Sequence, residues 1–295
     1  MQGFLLVNKP KDITSFGAVA RVRRLVGEKR VGHTGTLDPM ATGVLPIFIG
    51  RATALSSYLI EADKRYTAEI KLGIKTDTCD ITGEVLSEKA VNVNDDELIL
   101  ALKKFRGVQK QTPPMFSAIK KDGVRLYELA RKGETVDIPS RDITVYSLDV
   151  LSTLNKKNVF KIDVKVSKGT YIRSLARDIG EYLGCGATLV SLERTETSGF
   201  SLEQCVCLDD LTEDNIQNYI LSEETAIPYI RELSVTERQA ERFSHGGQLA
   251  IDRLKDQEFY DGELLRVKYQ DKFIGLGFAD LENSQIAIKC IINNF

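Results

Sequence analysis

Two rhythms of apolar positions run through this chain, one of helical period and one alternating. Phe16, Val19, Val22 and Val26 recur at helical spacing, which predicts a helix with that stripe inward and Arg21, Arg23 and Arg24 mostly off it. Thr14 or Ser15 can cap its start and Gly27 can stop it. The same period predicts an amphipathic helix over 95–105 and a helix over 236–244. It also predicts a helix after Gly169-Thr170, with Ile172, Leu175, Ala176, Ile179 and Leu183 inward and Gly184 as its stop. Alternation predicts strands over 65–73 and 159–166, and short apolar runs predict strands over 3–8 and 44–49. Three more strands are expected near 264–269, 272–279 and 285–292. Gln111-Thr112-Pro113-Pro114 must be extended, because a residue before proline avoids the helical region. Strands and helices alternate without a regular βαβ beat, so the expected class is α+β with a mixed sheet.

Residues 31–43 break both rhythms and hold Gly32, Gly35 and Gly43, which predicts a loop. The loop lacks the Lys-Ser/Thr that completes a Walker motif and does not match GxGxxG. It does carry one carboxylate, Asp38, ahead of Pro39, in a backbone where it can be held against a ligand. Taken alone, Asp38 is an ordinary turn residue. Two other residues matter if they converge on it. Arg173 stands in the first turn of a predicted helix, and a paired guanidinium would keep Asp38 ionised at neutral pH. Tyr66 offers a flat ring on which a base can stack. His33 is a candidate base or a loop histidine satisfied by backbone groups, and no spacing completes a Ser-His-Asp arrangement.

Charge changes the picture more than bulk composition does. The formal net charge of −2 argues against a nucleic-acid partner only if charge is evenly spread. Residues 1–60 hold eight Lys/Arg against three Asp/Glu, and residues 101–135 hold nine against three, whereas residues 196–263 hold five against sixteen. A regional basic face on an otherwise acidic protein suits phosphate binding, although any one cluster is equally a solvated helix face. Segment 115–145, rich in Lys, Arg and Gly, reads as a basic insertion on the body. Five scattered cysteines in a chain this long are expected to be reduced thiols. Cys205-Val206-Cys207 is expected to be a strand with both thiols on one face, not a metal site. With no basic n-region and no apolar run near the roughly 18 residues of a membrane helix, a cytoplasmic protein is expected.

Taken together these segments resemble one family. Gly32-His33-Thr34-Gly35-Thr36-Leu37-Asp38-Pro39-Met40-Ala41-Thr42-Gly43-Val44-Leu45 closely resembles the catalytic loop of the TruB family of tRNA pseudouridine synthases. Lys9-Pro10 with Thr14-Ser15, Lys64-Arg65-Tyr66, Thr76-Asp77-Thr78 with Asp80 and Gly83, residues 111–120, residues 127–133, and Lys168-Gly169-Thr170-Tyr171-Ile172-Arg173 resemble it in the same order.

The resemblance implies a mixed, largely antiparallel sheet of the pseudouridine synthase fold over 1–232. A thumb insertion at 115–145 and a small, mostly-β, PUA-like RNA-binding domain over 233–295 complete it. It implies isomerisation of uridine 55 in the T loop of tRNA to pseudouridine, without cofactor or metal. Asp38 would be the catalytic aspartate, Arg173 its ion-pair partner and Tyr66 the tyrosine against the target base. Leu192 would be an apolar wall of the pocket and His33 a stacking residue on the RNA, with Lys9 and Tyr171 also on the substrate. The implied partner is the tRNA T stem-loop, with no membrane and no obligate protein partner, and the protein is expected to be a monomer.

Asp12, Val166 and Glu193 depart from the family's usual glycine, cysteine and basic residue, which touches local turns and the RNA edge but none of Asp38, Tyr66 and Arg173. Three other readings compete: a catalytically silent RNA-binding module, a guide-dependent synthase acting on another RNA, and a hydrolase built on Asp38. The last lacks an identifiable second carboxylate.

Overall fold

The apolar and alternating runs pair into one ten-stranded sheet in a computed structural model that describes residues 1–60, 62–254 and 257–295. Its main order is Val206–Cys207, Gly3–Lys9, Thr42–Ile49, Ala187–Thr197, Lys64–Leu72, Val159–Val166, Arg141–Ser152 and Gly107–Gln111. Val31–His33 joins along Thr42–Ile49, and Phe200–Ser201 along Ala187–Thr197. Among the described strands every pairing in this sheet is antiparallel except Gly3–Lys9 with Val206–Cys207 and Thr42–Ile49 with Ala187–Thr197. The α+β, largely antiparallel expectation therefore holds.

The first strands read as continuous apolar runs because both faces of the sheet are covered there. Leu5 and Val7 enter a core shared with Val19, Val22, Leu45 and Ile47, while Phe4, Leu6, Val44 and Phe48 enter a second core. That second core includes Phe273, Leu276 and Ile292 from a five-stranded sheet ordered Arg231–Ser234, Leu264–Tyr269, Lys272–Asp280, Gln285–Ile291 and Leu249–Ala250. The terminal sheet is thus packed directly on the body.

Helix Ser15–Val26 begins where Thr14 Oγ1 accepts a hydrogen bond from Gly17 N at 2.9 Å and ends at Gly27 with φ 64°. Its inward residues are Ser15, Ala18, Val19, Val22 and Val26; Phe16, expected on that stripe, is 65% exposed. The physical reason lies one residue earlier. Ser15 occupies the inward position of the first turn, where its hydroxyl donates to Leu37 O at 3.0 Å and accepts from Leu37 N at 2.9 Å. Helices Asp95–Lys104 and Glu237–Ser244 start at capping boxes, Asn94 with Glu97 and Thr236 with Gln239.

Three other local expectations differ from the structure. Val31–His33 of the expected loop is a short strand. Residues 141–145 of the expected insertion are strand, in register with 107–111, so the rest of it, with a hairpin of Lys120–Lys121 and Val124–Arg125 and helix Leu126–Arg131, ends near 140. Cys205 and Cys207 do not share a strand face: only Val206–Cys207 is strand, Cys207 is exposed, and Cys205 packs against the second core.

Strand Ala187–Thr197 organises the centre of the sheet. It enters between Thr42–Ile49 and Lys64–Leu72, with Arg194 opposite Gly43 on one side and Tyr66 on the other, and Leu192 opposite Ala68. At Gly43, φ is 106°, and a Cβ there would lie 2.2 Å from the Arg194 carbonyl oxygen. Gly43→Ala is therefore expected to cost several kcal/mol, on the order of a severe core defect. Urea unfolding of the purified variant checks this; a midpoint equal to the parent's would refute it.

Candidate active site

The loop that carries Asp38 is held from beneath by main-chain and buried contacts that need no ligand. Thr34 N donates to Pro46 O at 3.2 Å, Ala41 N to Asp38 O at 3.0 Å and Asp12 N to Pro39 O at 2.9 Å. Leu37, Met40 and Ala41 point into the core. Lys9 is a strut, not a surface contact. It is fully buried, and its ammonium donates to Pro10 O and Ile13 O at 2.8 Å and to Pro39 O at 3.3 Å. Burial brings its pKa down to about 8 against the opposing pull of Asp38. Lys9 was expected to bind RNA; the structure places it under the loop instead, where its three donors meet three converging carbonyls.

With its backbone so fixed, Asp38 turns its carboxylate toward Arg173 and leaves 36% of the side chain open. Arg173 Nε lies 2.9 Å from Asp38 Oδ2, out of line for a hydrogen bond, and Nη2 donates to Oδ1 at 3.3 Å. The pair is close but imperfectly aligned, so carboxylate lone pairs remain available on the open side. Burial pushes the Asp38 carboxyl above its usual range; Arg173 opposes that shift, and the nearby Asp80 adds to it.

Arg173 is itself buried, and its guanidinium is shared. Nη1 donates to Thr78 O at 3.2 Å, Nη2 donates to Phe116 O at 2.9 Å, and Asp80 Oδ2 stands 3.7 Å from Nη1. Asp80 is committed by its turn: its Oδ1 accepts from Thr78 Oγ1 at 2.9 Å and from Thr82 N at 3.0 Å. This is the second carboxylate that sequence reasoning did not identify as part of a site. Its signal was the run Thr76-Asp77-Thr78 with Asp80 and Thr82, the composition of a side-chain-closed turn.

Helix Ile172–Tyr182 has no side-chain cap at Tyr171. Buried Gln111 takes that role from the neighbouring chain segment, accepting from Tyr171 N at 2.8 Å and donating to Tyr171 O at 3.1 Å. Ser174 Oγ donates to Thr112 O at 2.9 Å. The Tyr171 ring is covered by the Arg141 guanidinium, 4.8 Å from its centroid. Tyr171 therefore sets the helix that presents Arg173.

On the sheet side, Tyr66 and Leu192 are buried in one core, and Tyr66 stands opposite Arg194 on the neighbouring strand, where the Arg194 charge opposes the rise of the phenol pKa. Arg194 is almost wholly buried, donating from Nε to Val44 O at 2.8 Å and from Nη2 to Gly35 O at 2.7 Å. It has no carboxylate within ion-pair distance among the described residues. Burial raises the Tyr66 phenol, with the Asp38 charge contributing, and burial with the Arg194 charge lowers His33. His33 is thus held toward its neutral form, and its buried Nδ1 has no hydrogen-bond partner among the described residues. Arg194 was missed because a buried arginine looks like a surface one in sequence; its phase with inward Leu192 was the only available signal.

Two outcomes test this geometry. Lys9→Met leaves three buried carbonyls without a donor and is expected to destabilise the fold by about 2–3 kcal/mol in urea unfolding. For Arg173→Met, if ionised Asp38 carries the activity, that activity is present above its folded pKa and lost as pH falls through it. Removing the guanidinium raises that pKa further, so the acid limb of kcat/KM should move to higher pH and kcat should fall about 100-fold or more. An unmoved limb would separate Arg173 from the ionisation of Asp38.

A family model described as TruB family pseudouridylate synthase, N-terminal domain, matches residues 23–172, and one described as tRNA pseudouridylate synthase B C-terminal domain matches residues 173–233. The chain is 44% identical over 289 residues to tRNA pseudouridine synthase B of Clostridium tetani, covering 97% of this chain and 98% of that one. It is 43% identical over 256 residues to the protein of the same name from Ralstonia pickettii, covering 85% and 80%. Among solved structures it is similar to a chain of a Cbf5-Nop10-Gar1 complex, with a TM-score of 0.73 and 27% identity over 99% of this chain and 85% of that one. Family models that together span residues 23–233, with relatives 43–44% identical over most of the chain, mean that the chain belongs to the TruB family of pseudouridylate synthases.

Proposed function

We propose that this protein converts uridine 55 in the T loop of tRNA to pseudouridine, with Asp38 as the catalytic carboxylate. The observation that carries the assignment of Asp38 is its pairing with buried Arg173 while part of the carboxylate stays open. The reaction breaks the N1–C1′ bond, turns the uracil and forms C5–C1′; the C5 proton leaves and N1 gains one, so nothing is oxidised or reduced. An ionised carboxylate starts this chemistry whether it attacks C1′ or C6 or takes the C2′ proton, and Arg173 keeps it ionised in a pocket dry enough to retain free uracil. Tyr66 and Leu192 supply the apolar wall against the base. Asp80 does not make the site a hydrolase, because it is buried behind Arg173 with its own oxygens engaged.

The target base must leave the loop stack, at a cost of a few kcal/mol. Basic segments 11–30 and 103–132 bind phosphates and set register, with neutral His33 stacking on a splayed base. Residues 1–232 form the catalytic body, 115–140 the thumb and 233–295 a small RNA-binding unit. The continuous basic insertion favours recognition of tRNA by a cytoplasmic monomer without a guide RNA or partner protein.

The test is release of tritium from C5 of uridine in an unmodified tRNA transcript, with no metal or cofactor added. Wild type should release one label per tRNA, Asp38→Asn none, and a transcript with cytidine at position 55 none. Tight tRNA binding with no release from any form would favour a silent binding module.

A further inference from the structure

Phe16 presents an apolar ring to solvent beside the catalytic loop. Its neighbour Ser15 is bonded in both directions to the Leu37 main chain, one residue before Asp38, so the first helical turn and the loop move as one piece. A lone exposed apolar residue needs no explanation, but this one has company. The Arg23 guanidinium carbon stands 5.9 Å from the Phe16 centroid, and its Nη2 is tied to Val31 O at 3.3 Å. The buried Arg23 Nε has no hydrogen-bond partner among the described residues. Arg24 lies exposed on the next residue, and helix Ser15–Val26 contains no acidic residue. Arg21 is paired with Asp209, whereas Arg23 and Arg24 have no carboxylate within ion-pair distance among the described residues.

We infer that Phe16 and Arg23 form a shelf for an unpaired nucleotide of the substrate RNA next to the uridine that enters the pocket. The ring takes the base by stacking, and the guanidinium takes its phosphate. An aromatic face accepts any base, so the shelf gives affinity and position with little sequence preference. The arginine contributes through counterion release and is therefore salt-sensitive. The inference rests on the tRNA reading above.

The test is binding of a T-arm RNA hairpin and of full tRNA, together with single-turnover tritium release at saturating RNA. Phe16→Ala should weaken binding on the order of 10-fold, with the saturated rate and the melting temperature unchanged, and Phe16→Trp should bind like wild type. Arg23→Gln should lower the slope of log Kd against log salt by about 1. Wild-type-like binding by Phe16→Ala would overturn the shelf while leaving the proposed reaction intact, as would a loss of saturated rate with unchanged Kd. The binding measurements read the shelf even if wild type releases no tritium, a result that would instead count against the reaction.

Discussion

A buried arginine forces everything around it to supply acceptors, and in this protein Arg173 is that residue. Withdrawing a guanidinium from water costs several kcal/mol unless its donors are met. Three segments far apart in sequence meet them: the Asp38 loop, the turn at Thr78 and Asp80, and the chain at Phe116. Asp38 has the reciprocal requirement, because a carboxylate moved toward an apolar wall drifts toward protonation without a cation. The ion pair therefore does two jobs. It satisfies polar groups of three segments, and it opposes the upward shift that burial gives a partly open carboxylate.

That arrangement needs a frame that does not give, and the frame is the sheet. Arg194 on the central strand is bonded to Gly35 and Val44 at the two ends of the Asp38 loop and stands opposite Tyr66 on the neighbouring strand. Its charge is not cancelled locally, so it acts on the titratable groups around it; Lys9, His33 and Lys64 are all lowered chiefly by burial, and Arg194 adds to each shift. Two arginines, Arg173 and Arg194, thus stand near two carboxylates, Asp38 and Asp80, while burial and the Arg194 charge hold His33 toward its neutral form.

What could be read from sequence divides along the range of the interaction. Helices Ile172–Tyr182, Asp95–Lys104 and Glu237–Ser244 and the last three strands were legible because period and capping are local. Asp38, Arg173 and Tyr66 were singled out from residue type and position, but nothing local says that Arg173 reaches Asp38 across 135 residues. Lys9 read as a surface cation, since sequence cannot display the three carbonyls that bury it. Phe16 failed in the opposite sense: its spacing fitted the stripe, but the inward position of the first turn belongs to Ser15, whose hydroxyl is bonded to the Leu37 main chain. The change in charge near residue 196 suggested a separate acidic end, whereas packing joins that end to the body through Phe4, Phe48, Phe273 and Ile292.

This joint core bears on how a protein of net charge −2 can hold a polyanion. Gln2 bonds to Ile292 O at 3.2 Å and to Asn293 Oδ1 at 2.6 Å, so the first strand and the end of the last sheet are held together. A minority of the acidic charge in the 196–263 stretch is paired at short range, Glu224 with Arg266 and Lys268, Glu263 with Arg231 and Asp209 with Arg21. Of the arginines on the first helix, only Arg21 is neutralised in this way among the described residues. Exposed charges separated by more than a Debye length of about 8 Å interact weakly at physiological salt, so nearby charges weigh more than the net charge of the chain. Local distribution, not net charge, sets the field near the Asp38 loop, where Arg23 and Arg24 of the first helix have no carboxylate within ion-pair distance among the described residues.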